Sequence, residues 1–233
     1  MKRHRFFLEH ISKHTQAIED RELCHQISRV LRLGTGEEIV LCKGDGKEYV
    51  FRLEYIGHHE IRGSIVAIQE NRNEPSVDVT LYCALLKREN FELVVQKATE
   101  VGVATIVPVI TERTVKTSSN TQRLEKILRE AAEQSGRAHI PKLCDALRLP
   151  DALKRVGIHD GALFFDASGE AYQERIARSV KTNICLFIGP EGGWSESELQ
   201  LARGSGCKIA SLGSLTLRAE TAAIVASYLV CRG

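Results

Sequence analysis

Two hydrophobic periods divide the chain. Up to about residue 72, apolar and polar positions alternate in short runs, the two-residue period of half-buried strands. "EIVLCKGDGKEYVFRLEYIG" reads as strand, turn, strand, with Gly44-Asp45-Gly46 supplying the hairpin. "IRGSIVAIQEN" predicts another strand. A helix interrupts them in "RELCHQISRVLRL", where Leu23, Ile27, Val30 and Leu31 share a face. This half predicts a small β-rich, barrel-like domain, residues 1–72. The polar, proline-containing segment Asn71 to Ser76 marks the boundary.

From there the pattern alternates between apolar runs and helical stripes. "VTLYCALL", "TIVPVI", "GALFFDA", "NICLFIG" and "CKIASLG" read as strands. "NFELVVQKATEVG" predicts a helix with Phe91, Val94, Val95, Ala98 and Val101 inward and Gly102 placed to end it. "TQRLEKILREAAEQSG" predicts a second, with Leu124, Ile127, Leu128 and Ala131 on one face, and "ETAAIVASYLV" a last one. Alternating strands and helices over residues 73–233 predict an α/β fold, a parallel sheet with helices on both faces.

Composition adds limits. The chain has 233 residues, 43% hydrophobic and 27% charged, ordinary for a globular protein. No apolar run is long enough to span a bilayer, and the basic N-terminus lacks the apolar core of a signal peptide. The expectation is a cytoplasmic protein without a membrane partner. Seven cysteines are scattered singly with no Cys-x-x-Cys, so neither a metal site nor a disulfide framework is indicated. A formal net charge of +2 leaves nucleic-acid binding to local patches.

Candidate chemistry begins where the strand at 183–188 ends, in Gly189-Pro190-Glu191-Gly192-Gly193. Ligands of open parallel sheets bind beyond the C-terminal ends of the strands, and Ser195 with Glu198 three residues on resembles a capping box that starts a helix there. The turn fits a ligand cradle; a tight strand-to-helix connection fits it too. It is neither a Walker loop nor Gly-x-Gly-x-x-Gly. Glu191 would repel a phosphate, which favours a ligand neutral or cationic at that point. A second such loop follows the next strand, where Gly213 precedes Arg218, Glu220 and Thr221 at the head of an alanine-rich helix. Glu220 and Thr221 also suit a simple helix start. Two such loops at neighbouring strand ends point to one shared pocket. A third cluster holds Arg113 and Lys116 after a strand, and Glu133, Gln134 and Arg137 near a helix end. Cations with amides suit phosphate and base contacts, or a solvated helix face.

Taken together, "LFIGPEGGWSESEL", "LGSLTLRAETA", "KATEVGV", "AAEQSGR" and the N-terminal "HQISRVLRLGTGE" resemble the RsmE family of 16S ribosomal RNA uridine-N3 methyltransferases, members of the SPOUT class. The resemblance runs over nearly the whole chain with the order and spacing of motifs kept. It implies a PUA-like β-barrel that helps hold RNA (residues 1–72) and a SPOUT α/β domain with a C-terminal trefoil knot (73–233). It also implies a homodimer, S-adenosylmethionine as cofactor, and 16S ribosomal RNA or the small ribosomal subunit as partner. Gly189, Pro190, Glu191, Gly192 and Gly193 would form one wall of the cofactor pocket and Leu212, Gly213 and Leu217 the other, with Phe165 and Asp166 in the remaining loop. Arg218 would stabilise negative charge on a uracil carbonyl, and Glu220 would either orient Arg218 or accept the N3 proton. Arg113, Lys116, Gln134 and Arg137 would contact RNA, extended through Arg3, Arg5, Arg29 and Arg32. Family members usually carry arginine where Leu215 stands, which implies reduced or redistributed RNA contact. A non-catalytic RNA-binding module and a SPOUT enzyme acting on transfer RNA are the rival readings.

Overall fold

The computed structural model describes residues 3–11, 16–115, 120–172 and 182–232. They form two compact units: Met1–Glu74 with Ala132–His139, and Pro75–Ala131 with Ile140–Gly233.

The first unit carries β1 (Arg5–Phe7), β2 (Ala17–Ile18), α1 (Arg21–His25), β3 (Glu38–Cys42), β4 (Lys47–Ile56) and β5 (Ile61–Glu70). They make a curled half-barrel in the order β1-β3-β4-β5-β2. Phe6, Ile27, Ile39, Leu41, Phe51, Leu53 and Ile61 fill its core. The helix at 21 departs from its expected period. After α1 it widens into a π-helical turn, Gln26–Val30, in which the amide of Leu31 bonds Gln26 O. The wider turn rotates Val30 off the apolar stripe, and it is 64% exposed. The segment 132–139 also belongs to this unit, which the division at residue 72 does not anticipate. The carboxylate of Glu74 takes hydrogen bonds from the amides of Ala138 and His139, Asn71 and Asn73 both donate to Gly136 O, and Glu133 accepts from the Phe7 amide.

The second unit carries β6 (Asp78–Ala84), α2 (Arg88–Val101), β7 (Thr105–Ile110), α3 (Thr121–Ser135), β8 (Lys142–Leu143), β9 (Leu147–Arg148), α4 (Leu149–Leu153), β10 (Gly161–Ala171), β11 (Asn183–Ile188), α5 (Glu196–Gly204), β12 (Lys208–Ser211) and α6 (Ala219–Cys231); by the division above, α3 belongs to it only as far as Ala131. Seven strands, all parallel, run in the order β12-β10-β11-β6-β7-β8, with β9 also on β7. Successive residues of each strand serve opposite faces. Val79, Leu81, Leu163, Phe165, Ile184, Leu186 and Ile188 pack on one side with α2 and α6, whereas Tyr82, Phe164, Cys185 and Phe187 pack on the other with α4 and α5. Gly102 ends α2 in the left-handed conformation expected of it, φ 107°. Although β12 lies at the sheet edge beside β10, the helix that follows it, α6, packs on α2 and over β6 and β11. The chain therefore travels back across the strand ends, and that passage walls the site.

Candidate active site

Four segments meet beyond the C-terminal ends of β10, β11 and β12, and around the N-termini of α2 and α6. They enclose a cavity of about 550 Å³, within the range of small-molecule sites.

The β10 wall is a bulge. In its pairing with β12, Phe165 and Glu170 both oppose Ala210, so Asp166 to Gly169 are thrown out of the ladder. Asp166 Oδ1 accepts from the amide and hydroxyl of Ser168 at 2.9 and 2.6 Å, holding the bend. Gly169 closes it: a Cβ there would sit 2.6 Å from the backbone carbon of Ala210. The bulge turns Asp166 and Ala167 into the cavity.

The β11 wall is the glycine-rich turn. The amide of Gly193 bonds Pro190 O at 2.9 Å and closes it. Gly189 is small for a reason the sequence does not disclose. A Cβ there would meet Cε2 of Trp194 at 2.9 Å and Nε1 at 3.0 Å. Trp194 cannot retreat: its Nε1–H donates to Phe165 O at 3.0 Å, and its ring lies 4.2 Å from that of Phe164. The indole thus ties the end of β10 to the turn after β11. The turn is clamped from outside as well. Ser195 and Glu198 form the expected capping box of α5. The buried Glu198 carboxylate also accepts from the Glu112 amide at 2.9 Å, and Ser197 donates to Glu112 at 2.8 Å. Those hydrogen bonds, from Ser197 first and then Ser195, hold the Glu112 carboxyl below the usual range. Arg113 donates to Gly192 O at 2.6 Å, so Gly192 faces Arg113 rather than the cavity lining.

The third wall is the passage from β12 to α6. Ser211 Oγ donates to Gly213 O at 3.1 Å and accepts from Gly213 N at 3.3 Å, bending the chain at a glycine with φ 125°. Leu212, Gly213, Leu215, Thr216 and Leu217 line the cavity. Leu215 is 81% exposed, an apolar side chain at the mouth. Arg218 is the N-cap of α6 and makes no side-chain cap. Glu220, in the first turn, is 8% exposed and its Oε2 is buried with no hydrogen-bond partner. Its Oε1 lies 4.0 Å from an Arg218 guanidinium that is 85% exposed. An ion pair so long and so solvated is worth little. A buried carboxylate oxygen without a donor is costly, so Glu220 is held at the head of α6 at some expense.

Of the residues singled out for the cofactor, the structure gathers Phe165, Asp166, Gly189, Pro190, Glu191, Gly193, Leu212, Gly213 and Leu217 around one cavity, together with Arg218 and Glu220. Gly192 is adjacent but outside the lining. The sequence did not single out Lys87, Asn90, Ala167, Ile188, Trp194, Ser211, Thr216, Ala219 and Ala222. Lys87 and Asn90 belong to the N-terminus of α2, whose strand end carries no glycine signal.

The expected RNA contacts fare unevenly. Arg113 is exposed beside the glycine turn. Lys116 lies outside the described residues. Gln134, Arg29 and Arg32 are exposed, Arg29 with Nη2 3.5 Å from His58 Nε2 and Arg32 in a left-handed conformation. Arg137 departs from the expectation of an open phosphate contact. It is 5% exposed, and its guanidinium grips Glu74 at 2.8 Å through Nη2 and 3.2 Å through Nε. Burial by itself would raise the Glu74 carboxyl; Arg137 and the amides of Ala138 and His139 outweigh it and hold it below the usual range. Arg5 is likewise committed, 2.7 Å from a Glu48 carboxylate that is itself buried. Both guanidiniums hold the first unit together. Arg3 reaches Glu38 at 2.7 Å with its side chain about half exposed.

Among the described residues no group of His, Cys, Asp and Glu is placed to hold a metal ion, and no helix is long and apolar enough to cross a membrane.

Comparison with known proteins gives this geometry a context. Residues 72–230 match a family model described as an RNA methyltransferase domain, and residues 18–66 match an RNA methyltransferase PUA domain. The chain is 34% identical to a ribosomal RNA small subunit methyltransferase E of Rickettsia conorii, over 87% of this chain and 83% of that one. A ribosomal RNA small subunit methyltransferase E of Neisseria gonorrhoeae, solved with S-adenosylmethionine bound, superposes with TM-score 0.89 at 29% identity, covering 97% of this chain and 95% of the other. A methyltransferase of Legionella pneumophila, also solved with the cofactor, does so with TM-score 0.88 at 30% identity, covering 99% and 97%.

Proposed function

The chain belongs to the ribosomal RNA small subunit methyltransferase E family, and we propose that it methylates N3 of a uridine in 16S ribosomal RNA. It is an S-adenosylmethionine-dependent ribosomal RNA methyltransferase. The observation that carries the finer reading is one cavity lined by both the Glu220 carboxylate and the Arg218 guanidinium, 4.0 Å apart.

The lining suits that cofactor. Main chain from three strand ends is available to an adenine edge, and Phe165, Ile188, Leu212 and Leu217 offer apolar surface. Three carboxylates (Asp166, Glu191, Glu220) and two cations (Lys87, Arg218) leave one negative formal charge, which complements a sulfonium. When bound, S-adenosylmethionine supplies an electrophilic methyl group.

The protein's own work is on the nucleobase. N3 of uracil carries a weakly acidic proton, so a base must take it as a nearby cation stabilises the ring anion. The Glu220 carboxylate takes the N3 proton. Arg218, exposed at the cavity mouth, donates to a uracil carbonyl. Because N3 faces the pairing partner in a duplex, the target enters unpaired or flipped out.

Residues 1–72 form the RNA-gripping PUA-like domain in this reading, and 73–233 the catalytic one. The return of the chain from edge strand β12 to α6 over the central strands supports a trefoil-knotted path. The partly exposed apolar stripe Ile224, Val225, Tyr228 and Leu229 on α6 supports a homodimer, and the cytoplasm, where ribosomes are assembled, is its place of work.

Calorimetry with S-adenosylmethionine and its demethylated product, paired with single-turnover methyl transfer, tests the assignment. Glu220→Gln and Arg218→Ala are each expected to slow transfer about 10²-fold or more. A wild-type rate in both variants would refute their roles.

A further inference from the structure

The α2 wall of the cavity carries two polar side chains with no task in the mechanism above. Lys87 is the N-cap of α2 and Asn90 lies in its first turn. Both line the cavity, and neither side chain bonds or pairs with another described residue. The same cavity is lined by Arg218, the N-cap of α6, and by Glu220 in its first turn. Helices of 14 and 13 residues thus direct their N-termini at one space, each with a cationic N-cap residue that leaves the first-turn amides uncapped by a side chain.

We propose that Lys87, Asn90, Glu220 and Arg218 form a donor–acceptor–donor edge that selects an imide, uracil rather than cytosine, with Lys87 as its specificity-determining cation. The proposal rests on the reading that N3 of uridine is the methyl acceptor. Uracil presents a carbonyl oxygen, the N3–H and a second carbonyl oxygen, in that order. Arg218 on one side and Lys87 with Asn90 on the other donate to the two oxygens, and the Glu220 carboxylate accepts from N3–H. Cytosine would set its amino protons against the Lys87 ammonium and its N3 lone pair against the carboxylate. A site built to pair polar groups rejects an analogue that leaves them unpaired far more strongly than an apolar pocket does.

The same arrangement prepares the base. The N3 proton passes to the Glu220 carboxylate, the electron pair left on N3 forms the bond to the methyl carbon, and the pair of the breaking carbon–sulfur bond stays on sulfur as a neutral thioether. Charge that builds on the uracil oxygen in this step lies beside Lys87. Among the described residues the charged groups that line the cavity are Lys87, Arg218, Asp166, Glu191 and Glu220. The three carboxylates oppose ionisation of the imide, so the two cations decide the pH at which it reacts.

The test compares wild type, Lys87→Met and Lys87→Arg on small-subunit ribosomal RNA carrying uridine, 5-fluorouridine or cytidine at the methylated position. Lys87→Met is expected to lower kcat/KM on uridine about 10²-fold, as loss of one oxyanion donor does. It should also move the rising limb of the pH–rate profile to higher pH. The more acidic 5-fluorouridine should restore most of that rate, and Lys87→Arg should keep it. In a binding assay without turnover, wild type saturated with S-adenosylhomocysteine should prefer uridine over cytidine RNA, and Lys87→Met should lose the preference. Formation of 3-methyluridine by Lys87→Met at the wild-type rate, or an equal loss on uridine and 5-fluorouridine with an unmoved profile, would overturn the proposal alone. A wild-type product other than 3-methyluridine would take the functional reading down with it.

Discussion

A single added methyl group at Gly189 tests how the site is held. In Gly189→Ala the new Cβ would lie 2.9, 3.0 and 3.2 Å from three atoms of the Trp194 indole. Ordinary contact begins near 3.4 Å, so ring or turn must give by several tenths of an ångström. The ring is pinned by its hydrogen bond to Phe165 O at 3.0 Å and by Phe164 at 4.2 Å. Overpacking of this kind costs about 1–3 kcal/mol, and losing the hydrogen bond to a buried carbonyl about 1–3 kcal/mol more. Both ends of that hydrogen bond belong to cavity-lining residues. Cofactor affinity should therefore fall together with stability. Trp194 is the only tryptophan of the chain and is 6% exposed, so its fluorescence reports the displacement directly. The variant should emit further to the red, unfold at lower urea, and bind S-adenosylmethionine more weakly by calorimetry. Replacing Trp194 by Leu in the same chain should recover part of the loss attributable to crowding, measured as a double-mutant cycle. Unchanged emission, stability and affinity in Gly189→Ala would refute the claim that indole packing is what this glycine serves.

Other expectations follow from the same contacts. Gly169→Ala would set a Cβ 2.6 Å from the Ala210 backbone, which no side-chain adjustment relieves; loss of cofactor binding should accompany unfolding at lower denaturant than in Gly189→Ala. Arg137→Met should destabilise the first unit by about 1–3 kcal/mol, since it leaves the half-buried Glu74 carboxylate with only the amides of Ala138 and His139 as donors, while the salt slope of RNA binding stays at the wild-type value. Glu74 also sets a pH dependence. Its folded carboxyl titrates below the usual value, so its contribution is present above about pH 4.3, the unfolded value, and is lost as pH falls through the folded one. Acid titration of unfolding should show this slope in wild type and a flatter one in Glu74→Gln. Tyr228→Glu on the exposed stripe of α6 should yield a monomer by light scattering, and an undiminished dimer would remove that stripe from the interface.

The sequence exposed the parts of this molecule that local rules govern. Period and punctuation delivered five of the seven strands of the parallel sheet, the Gly102 cap of α2 and the Ser195–Glu198 capping box, because each depends on residues close in sequence, whereas the two-residue strands β8 and β9 and the short α4 are too brief to show a period. The glycine turn, the Gly213 loop and the Arg218–Glu220 pair were visible for the same reason. Partnerships between distant segments were hidden. Nothing near Gly189 says that an indole five residues on is anchored to Phe165. The bulge at Asp166 needs Ala210, and Arg137 was an open cation until Glu74, 63 residues away, claimed it. Lys87 and Asn90 escaped notice because α2 begins without glycine or a capping side chain. The π-helical turn after α1 likewise displaced Val30 from a stripe that an ideal helix would have kept.

Nucleoside mass spectrometry of small-subunit ribosomal RNA, prepared from a strain lacking this gene and incubated with the purified protein and isotopically labelled S-adenosylmethionine, bears most directly on a cavity built to deprotonate and methylate an imide. The label should appear in 3-methyluridine alone, about one per small subunit, and should accumulate about 10²-fold or more slowly with Glu220→Gln. Label on a ribose hydroxyl, on cytidine or only on added transfer RNA, or labelling by Glu220→Gln at the wild-type rate, would contradict it.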